Sequence, residues 1–204
     1  MQRLSRRAIL RLLSSVPVSA AFALTEVEAL QAHDLAQAAR QTAQKAGTVF
    51  KPKFFNSHEY ETVRVLVDLI IPRDERSGSA TDAGVPEFMD FTMIDQPTRQ
   101  TAMRGGLAWL DLECQERFDK RFLGCSADQR AAVLDAIAGA APAEAEDSHG
   151  VAFFRSFRDL TASGFWTSKI GIKDLDYIGN TVVPEWTGCP EAALSKLGVT
   201  TRAE

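Results

Sequence analysis

Apolar side chains recur at helical spacing along most of the chain. Tyr60, Val63, Leu66, Val67 and Ile70 fall on one face of a helix. Asn56-Ser57-His58-Glu59 in front of them has the form of a capping box, and Pro72 behind them ends the run near Ile71. Arg73 to Asp82 is a polar loop. Pro86 then suits the first turn of a short helix reaching about Ile94. Pro97 opens the longest candidate, to about Phe122, with Met103, Leu107, Leu110, Cys114, Phe118 and Phe122 forming one stripe. Gly105-Gly106 inside it predicts a close helix contact or a kink, since each glycine costs about 1 kcal/mol relative to alanine.

A second capping box, Ser126 with Gln129, starts a helix that runs through Ala138. An acidic, alanine-rich loop from Gly139 to Gly150 separates it from another helix, Val151 to about Ser163, where Phe153, Phe154, Phe157 and Leu160 crowd one side. Beyond that point Gly164, Gly171, Gly179, Pro184, Gly188 and Pro190 are too many breakers for long elements. No sustained alternation suggests strands, and no internal repeat is present. The pattern predicts an all-α protein: a single compact helical domain over residues 50–204 with an irregular C-terminal segment. Residues 24–49, rich in Ala, Gln and Glu, suit a helix or a flexible linker, with Gly47 placed to stop it.

The composition agrees with a soluble globular class: 204 residues, 45% hydrophobic and 25% charged. The charge is unevenly distributed. The 23 basic residues include Arg3, Arg6, Arg7 and Arg11, and no acid precedes Glu26. Without those four arginines, 19 basic side chains face 27 acidic ones, a net of −8. A body so acidic repels a phosphate backbone, which argues against nucleic acid as a partner.

Ser5-Arg6-Arg7-Ala8-Ile9-Leu10-Arg11 reads as a twin-arginine export signal, with Arg6 and Arg7 as the paired basic residues. A weakly apolar stretch from Leu12 to Leu24 follows, too short and too polar to remain as a membrane anchor. Ala21-Phe22-Ala23 supplies a small-x-small cleavage site, so residues 1–23 read as a signal segment and the mature chain as periplasmic. Twin-arginine routes carry folded cargo, commonly with a cofactor or partner already in place. That implies a chain which binds a cofactor or escorts something that does.

Recognisable cofactor chemistry is missing. His33, His58 and His149 are widely separated, lack i, i+4 pairing and read as solvated surface residues rather than metal ligands. There is no Cys-x-x-Cys-His, no glycine-rich phosphate fingerprint and no nucleophile elbow. Asp82 and Glu87 read as a loop acid and a first-turn acid rather than a catalytic pair. No catalytic, cofactor-binding or metal-binding residue is therefore assigned. The cysteines leave alternatives open. Cys114 lies in a helical stripe as a small buried hydrophobe, or bridges to Cys125. Cys189, in a Gly-Cys-Pro turn, is either free, paired within the chain or a candidate for a disulfide to another chain.

Five ordered motifs carry a resemblance. Ile70-Ile71-Pro72-x-Asp74, Ala83-Gly84-Val85-x-x-Phe88, Gly164-Phe165-Trp166-Thr167-Ser168, Leu175-x-Tyr177-x-Gly179-Asn180 and Trp186-x-Gly188-Cys189-Pro190 together resemble the gluconate 2-dehydrogenase subunit 3 family, over roughly Phe54 to Val199. The resemblance implies a small, non-catalytic subunit of a periplasmic sugar or sugar-acid dehydrogenase. In such complexes a large subunit of the glucose-methanol-choline oxidoreductase type holds FAD and the substrate, and a cytochrome c subunit often takes the electrons. The small subunit binds, stabilises and escorts the large one for export. An exported helical binding module without a redox partner is the alternative reading.

The aromatics of the C-terminal segment suggest where such a partner would sit. Phe165 and Tyr177 are expected to plug the helical core. Trp166 and Trp186 are expected at a partner contact, because tryptophan anchors concentrate at interface centres. Trp186, Gly188, Cys189 and Pro190 are the assigned contact residues, joined by Trp166, and the Arg73–Asp82 loop is a second candidate surface.

Overall fold

The computed structural model describes residues 25–45, 47, 50–139, 149–177, 179 and 188–198. They are all-α, with no strand among them. The helices are α1 (Glu26–Lys45), α2 (Ser57–Ile70), α3 (Ala80–Ala83), α4 (Val85–Asp95), α5 (Gln100–Phe118), α6 (Ala127–Ala138), α7 (His149–Trp166), α8 (Lys169–Asp174) and α9 (Glu191–Leu197), with short 3₁₀ turns at Pro97–Arg99 and Phe122–Gly124.

Local chemistry sets the helix starts. The Asn56 side chain accepts the Glu59 N–H at 2.9 Å, and the Glu59 carboxylate accepts the Asn56 N–H at 2.9 Å. Ser126 and Gln129 make the same reciprocal pair in front of α6. A third such box, Ser79 with Asp82, turns the end of the polar loop into α3. It ends at Gly84, whose φ of 87° lets α4 leave at once in a new direction.

The long helix expected from Pro97 to Phe122 is shorter. Pro97–Arg99 is a 3₁₀ turn, and α5 stops at Phe118 because Asp119 adopts a left-handed conformation at φ 55°. The next turn has other backbone partners. Asp111 accepts the Phe122 N–H at 3.0 Å, while Arg130 donates to the carbonyls of Phe122 (3.0 Å) and Leu123 (2.7 Å). Phe122 is still fully buried, so its place in the apolar stripe reflects burial rather than helix continuity.

Helix α7 forms the hub, packing against α1, α2, α3, α4, α5, α6 and α8. It runs through Gly164 to Trp166, beyond the stop expected near Ser163. Gly164 lies against Phe88, where a Cβ would come within 2.7 Å of the ring, so it acts as a packing site rather than a breaker. Gly106 on α5 is closer still, 1.9 Å from the Phe153 ring by the same construction, which makes the Gly105-Gly106 pair a close helix contact. Phe88, Met89, Met93, Met103, Leu110, Phe153, Phe157 and Leu160 fill the space between, each at most 1% exposed.

Helix α1 is packed onto α4, burying Ala29, Ala32, His33 and Ala36. Gln37 and Arg40 of α1 also donate to the Ala83 and Asp82 carbonyls, at 3.3 and 3.2 Å. The buried Asp90 carboxylate of α4 accepts the backbone N–H groups of Lys53, Phe54 and Phe55 at 2.9–3.0 Å, fixing the segment that leads into α2.

A candidate partner-docking surface

The end of α7 and the short helix α8 form a corner. Ser168 is buried at the turn, and its hydroxyl accepts the Gly171 N–H at 3.0 Å, capping α8. A Cβ on Gly171 would lie 2.1 Å from the Phe165 carbonyl, so glycine is what allows α8 to fold back onto the end of α7. The Leu175 N–H returns to the Gly171 carbonyl at 3.0 Å, and the Tyr177 N–H to the Ile172 carbonyl at 3.2 Å.

This ordered backbone presents apolar side chains to solvent. Trp166 is 38% exposed, Ile172 36%, Leu175 56% and Tyr177 62%. Trp166 stands edge-on to the buried Phe165 ring at 4.9 Å. Of the two aromatics expected in the core, Phe165 is there and Tyr177 is not. Tyr177 lies past a tight turn in which Asp176 has φ 51°, and its side chain is left exposed.

The polar loop joins the same corner. Arg76 donates to the Asp174 carbonyl at 2.7 Å and lies 3.6 Å from its carboxylate. The loop holds its shape through Asp74, which accepts the Ser77 and Arg76 N–H groups at 2.7 and 2.9 Å. Those two bonds hold the Asp74 carboxyl below its ordinary range. At the other end the Ser79 N–H lowers Asp82 in the same way, and Arg73 pairs with Asp82 at 2.6 Å. The two surfaces expected separately from sequence, Trp166 and the Arg73–Asp82 loop, therefore both adjoin the α7–α8 corner, one at the end of α7 and the other at the end of α8.

Gly188, Cys189 and Pro190 are exposed, and Cys189 is a free thiol. Pro190 precedes α9, which buries none of its residues and leaves Leu197 75% exposed. Trp186, Arg6 and Arg7 lie outside the described residues. Sequence reasoning missed Ile172 and Leu175 as surface anchors. Ser168 was their one local signal, a capping residue before an apolar pair, obscured by the count of nearby glycines.

The titratable groups have structural partners. His33 is 4% exposed rather than solvated, because α1 packs this face onto the body; burial pushes its imidazole down. His58 pairs with Asp111 at 2.5 Å rather than standing free in solvent. It lines a cleft of about 410 Å³ beside Arg104 and Arg121. Glu87 is buried and pairs with Arg40 at 3.4 Å, so it is no simple first-turn acid. Burial first, and then the Glu87 carboxylate, push the Tyr60 phenol up. Both residues line a cleft of about 510 Å³ between α1 and α2. Among the described residues, no group of three or more His, Cys, Asp or Glu could hold a metal ion, and no helix is long and apolar enough to cross a membrane.

The family model described as gluconate 2-dehydrogenase subunit 3 matches residues 57–184, a span that starts with α2 and includes the whole α7–α8 corner. No curated protein and no solved structure matches the chain.

Proposed function

The chain belongs to the gluconate 2-dehydrogenase subunit 3 family, and from that premise we propose that it is a non-catalytic subunit that binds, stabilises and escorts a large FAD-dependent dehydrogenase subunit. One observation carries this reading: Trp166, Ile172, Leu175 and Tyr177 are exposed on an ordered corner inside the segment that defines the family. Fully burying a side chain of this size is worth about 1.5–3 kcal/mol, so a partner that covers the corner gains from each. The backbone beneath is already fixed by Ser168, Gly171 and Arg76, which keeps the ordering cost of association low.

In this account the partner is of the glucose-methanol-choline type and holds FAD and a sugar, glycoside or sugar acid. A cytochrome c subunit is the expected electron acceptor in complexes of this kind. Arg6 and Arg7 supply the export signal for the folded pair, which places the complex in the periplasm. Gly188, Cys189 and Pro190 extend the contact, and the exposed Cys189 thiol is free to form a disulfide to the partner.

Co-expression with a large flavin-dependent subunit from the same genome tests the proposal. The expected result is co-elution with flavin absorbance and sugar-dependent dye reduction, all lost when this chain is omitted. A large subunit that folds, binds flavin and turns over equally well alone would overturn the escort role.

A further inference from the structure

Cys114 and Cys125 are both buried and both free, 0% and 5% exposed. Cys114 is in the last part of α5, and Cys125 closes the 3₁₀ turn just before the α6 cap. Asp111, one turn before Cys114, accepts the N–H of Phe122, three residues before Cys125, at 3.0 Å, so the elements that carry the two thiols meet at this corner. Burial, and then the neighbouring Cys125, push the Cys114 thiol up to about 12.

The corner that holds them is fixed from several sides. Asp111 accepts the Phe122 N–H, and Arg130 donates to the Phe122 and Leu123 carbonyls while its guanidinium lies 5.5 Å from the Phe122 ring centre. The Cys125 N–H itself returns to the Phe122 carbonyl at 3.2 Å. Each thiol therefore meets the other at a high effective concentration that the fold maintains.

We propose that Cys114 and Cys125 form an intrachain disulfide that staples the end of α5 to the start of α6 when the folded chain meets a disulfide donor. Cys125, the less enclosed of the two, attacks the donor disulfide as its thiolate. One donor sulfur leaves as a thiol, and a mixed disulfide remains on Cys125. Cys114 then gives up its proton and attacks the Cys125 sulfur, releasing the second donor sulfur. The two cysteines lose two protons and two electrons in all, and the donor disulfide gains them. Oxidised glutathione or a thiol–disulfide oxidoreductase supplies this chemistry. The assignment does not rest on the docking proposal, because both thiols lie away from the α7–α8 corner within this chain's own fold.

Thiol counting on the purified full chain tests it. Cys189 is first blocked with iodoacetamide under native conditions, and the protein is incubated with oxidised glutathione, denatured and alkylated again. The expected result is no second alkylation, a mass lower by two hydrogen atoms, and a peptide pair joining Cys114 to Cys125. A melting temperature about 6–12 °C above that of the reduced chain accompanies it, as expected for closing a short loop in a domain of this size. Cys125→Ser should abolish both the bridge and the rise. Alkylation of both thiols after the incubation, or a stable glutathione adduct on Cys125, would overturn the proposal. The wild-type count stands even if the variant fails to fold.

Discussion

The middle of α7 and the corner at its end are built from similar side chains and differ in what covers them. Phe153, Phe157 and Leu160 are at most 1% exposed, enclosed by the helices around the hub. Trp166, Ile172, Leu175 and Tyr177 are as apolar, yet 36–62% exposed. Apolar character alone does not assign a residue to the core; the supply of neighbouring elements does. At the corner α8 and the polar loop held by Arg76 shape the surface, and these four side chains stay exposed. An ordered, uncovered apolar corner is the expected geometry of a surface completed by another chain.

The largest effect should come from emptying the hub. Phe157→Ala removes a fully buried ring and should cost about 3–5 kcal/mol, read as a lower urea midpoint at constant m. A cost below about 1 kcal/mol would break the distinction between middle and end. Gly106→Ala comes next, because its Cβ would enter the Phe153 ring space. It should cost about 1–3 kcal/mol, and Phe153→Leu in the same chain should recover part of the loss.

A smaller, pH-dependent effect belongs to His33. Burial lowers its proton affinity in the folded chain from the ordinary value of 6.5, so folding favours the neutral form. The unfolded chain takes up a proton first as pH falls. Stability is therefore complete above about pH 6.5 and declines below it, toward the lowered folded value. Melting curves at pH 7.5 and 5 should show this decline, and His33→Met should shrink it; an unchanged pH dependence would place His33 in contact with water. The smallest effect on folding should come from the corner. Leu175→Ser combined with Tyr177→Ser should leave stability within about 0.5 kcal/mol, since both side chains are more than half exposed.

Much of the fold is legible in local sequence. The Asn56–Glu59 and Ser126–Gln129 boxes and the Pro86 first turn each satisfy backbone donors within a few residues, and the helices start where these place them. What escapes is decided by distant partners. Gly164 and Gly171 look like breakers, yet they serve as points of close approach to Phe88 and the Phe165 carbonyl. The stop at Phe118 depends on Asp119 and on Asp111 and Arg130 capturing the following turn. Of the candidate surface, Trp166 and the polar loop were readable separately. Their convergence was not, because the Arg76–Asp174 contact spans almost a hundred positions. The exposed Tyr177 follows the left-handed Asp176, a turn that no glycine or proline beside it announces.

The most direct test of the docking account compares wild type with the Leu175→Ser, Tyr177→Ser double variant, each co-expressed with the large flavin-dependent subunit and purified through a tag on this chain. With the variant's melting temperature unchanged, the account predicts that flavin-bearing large subunit co-elutes with wild type and that its yield falls at least tenfold with the variant, about 1.4 kcal/mol or more of lost association. Equal recovery of the flavoprotein with both chains would contradict it and remove the α7–α8 corner from the interface.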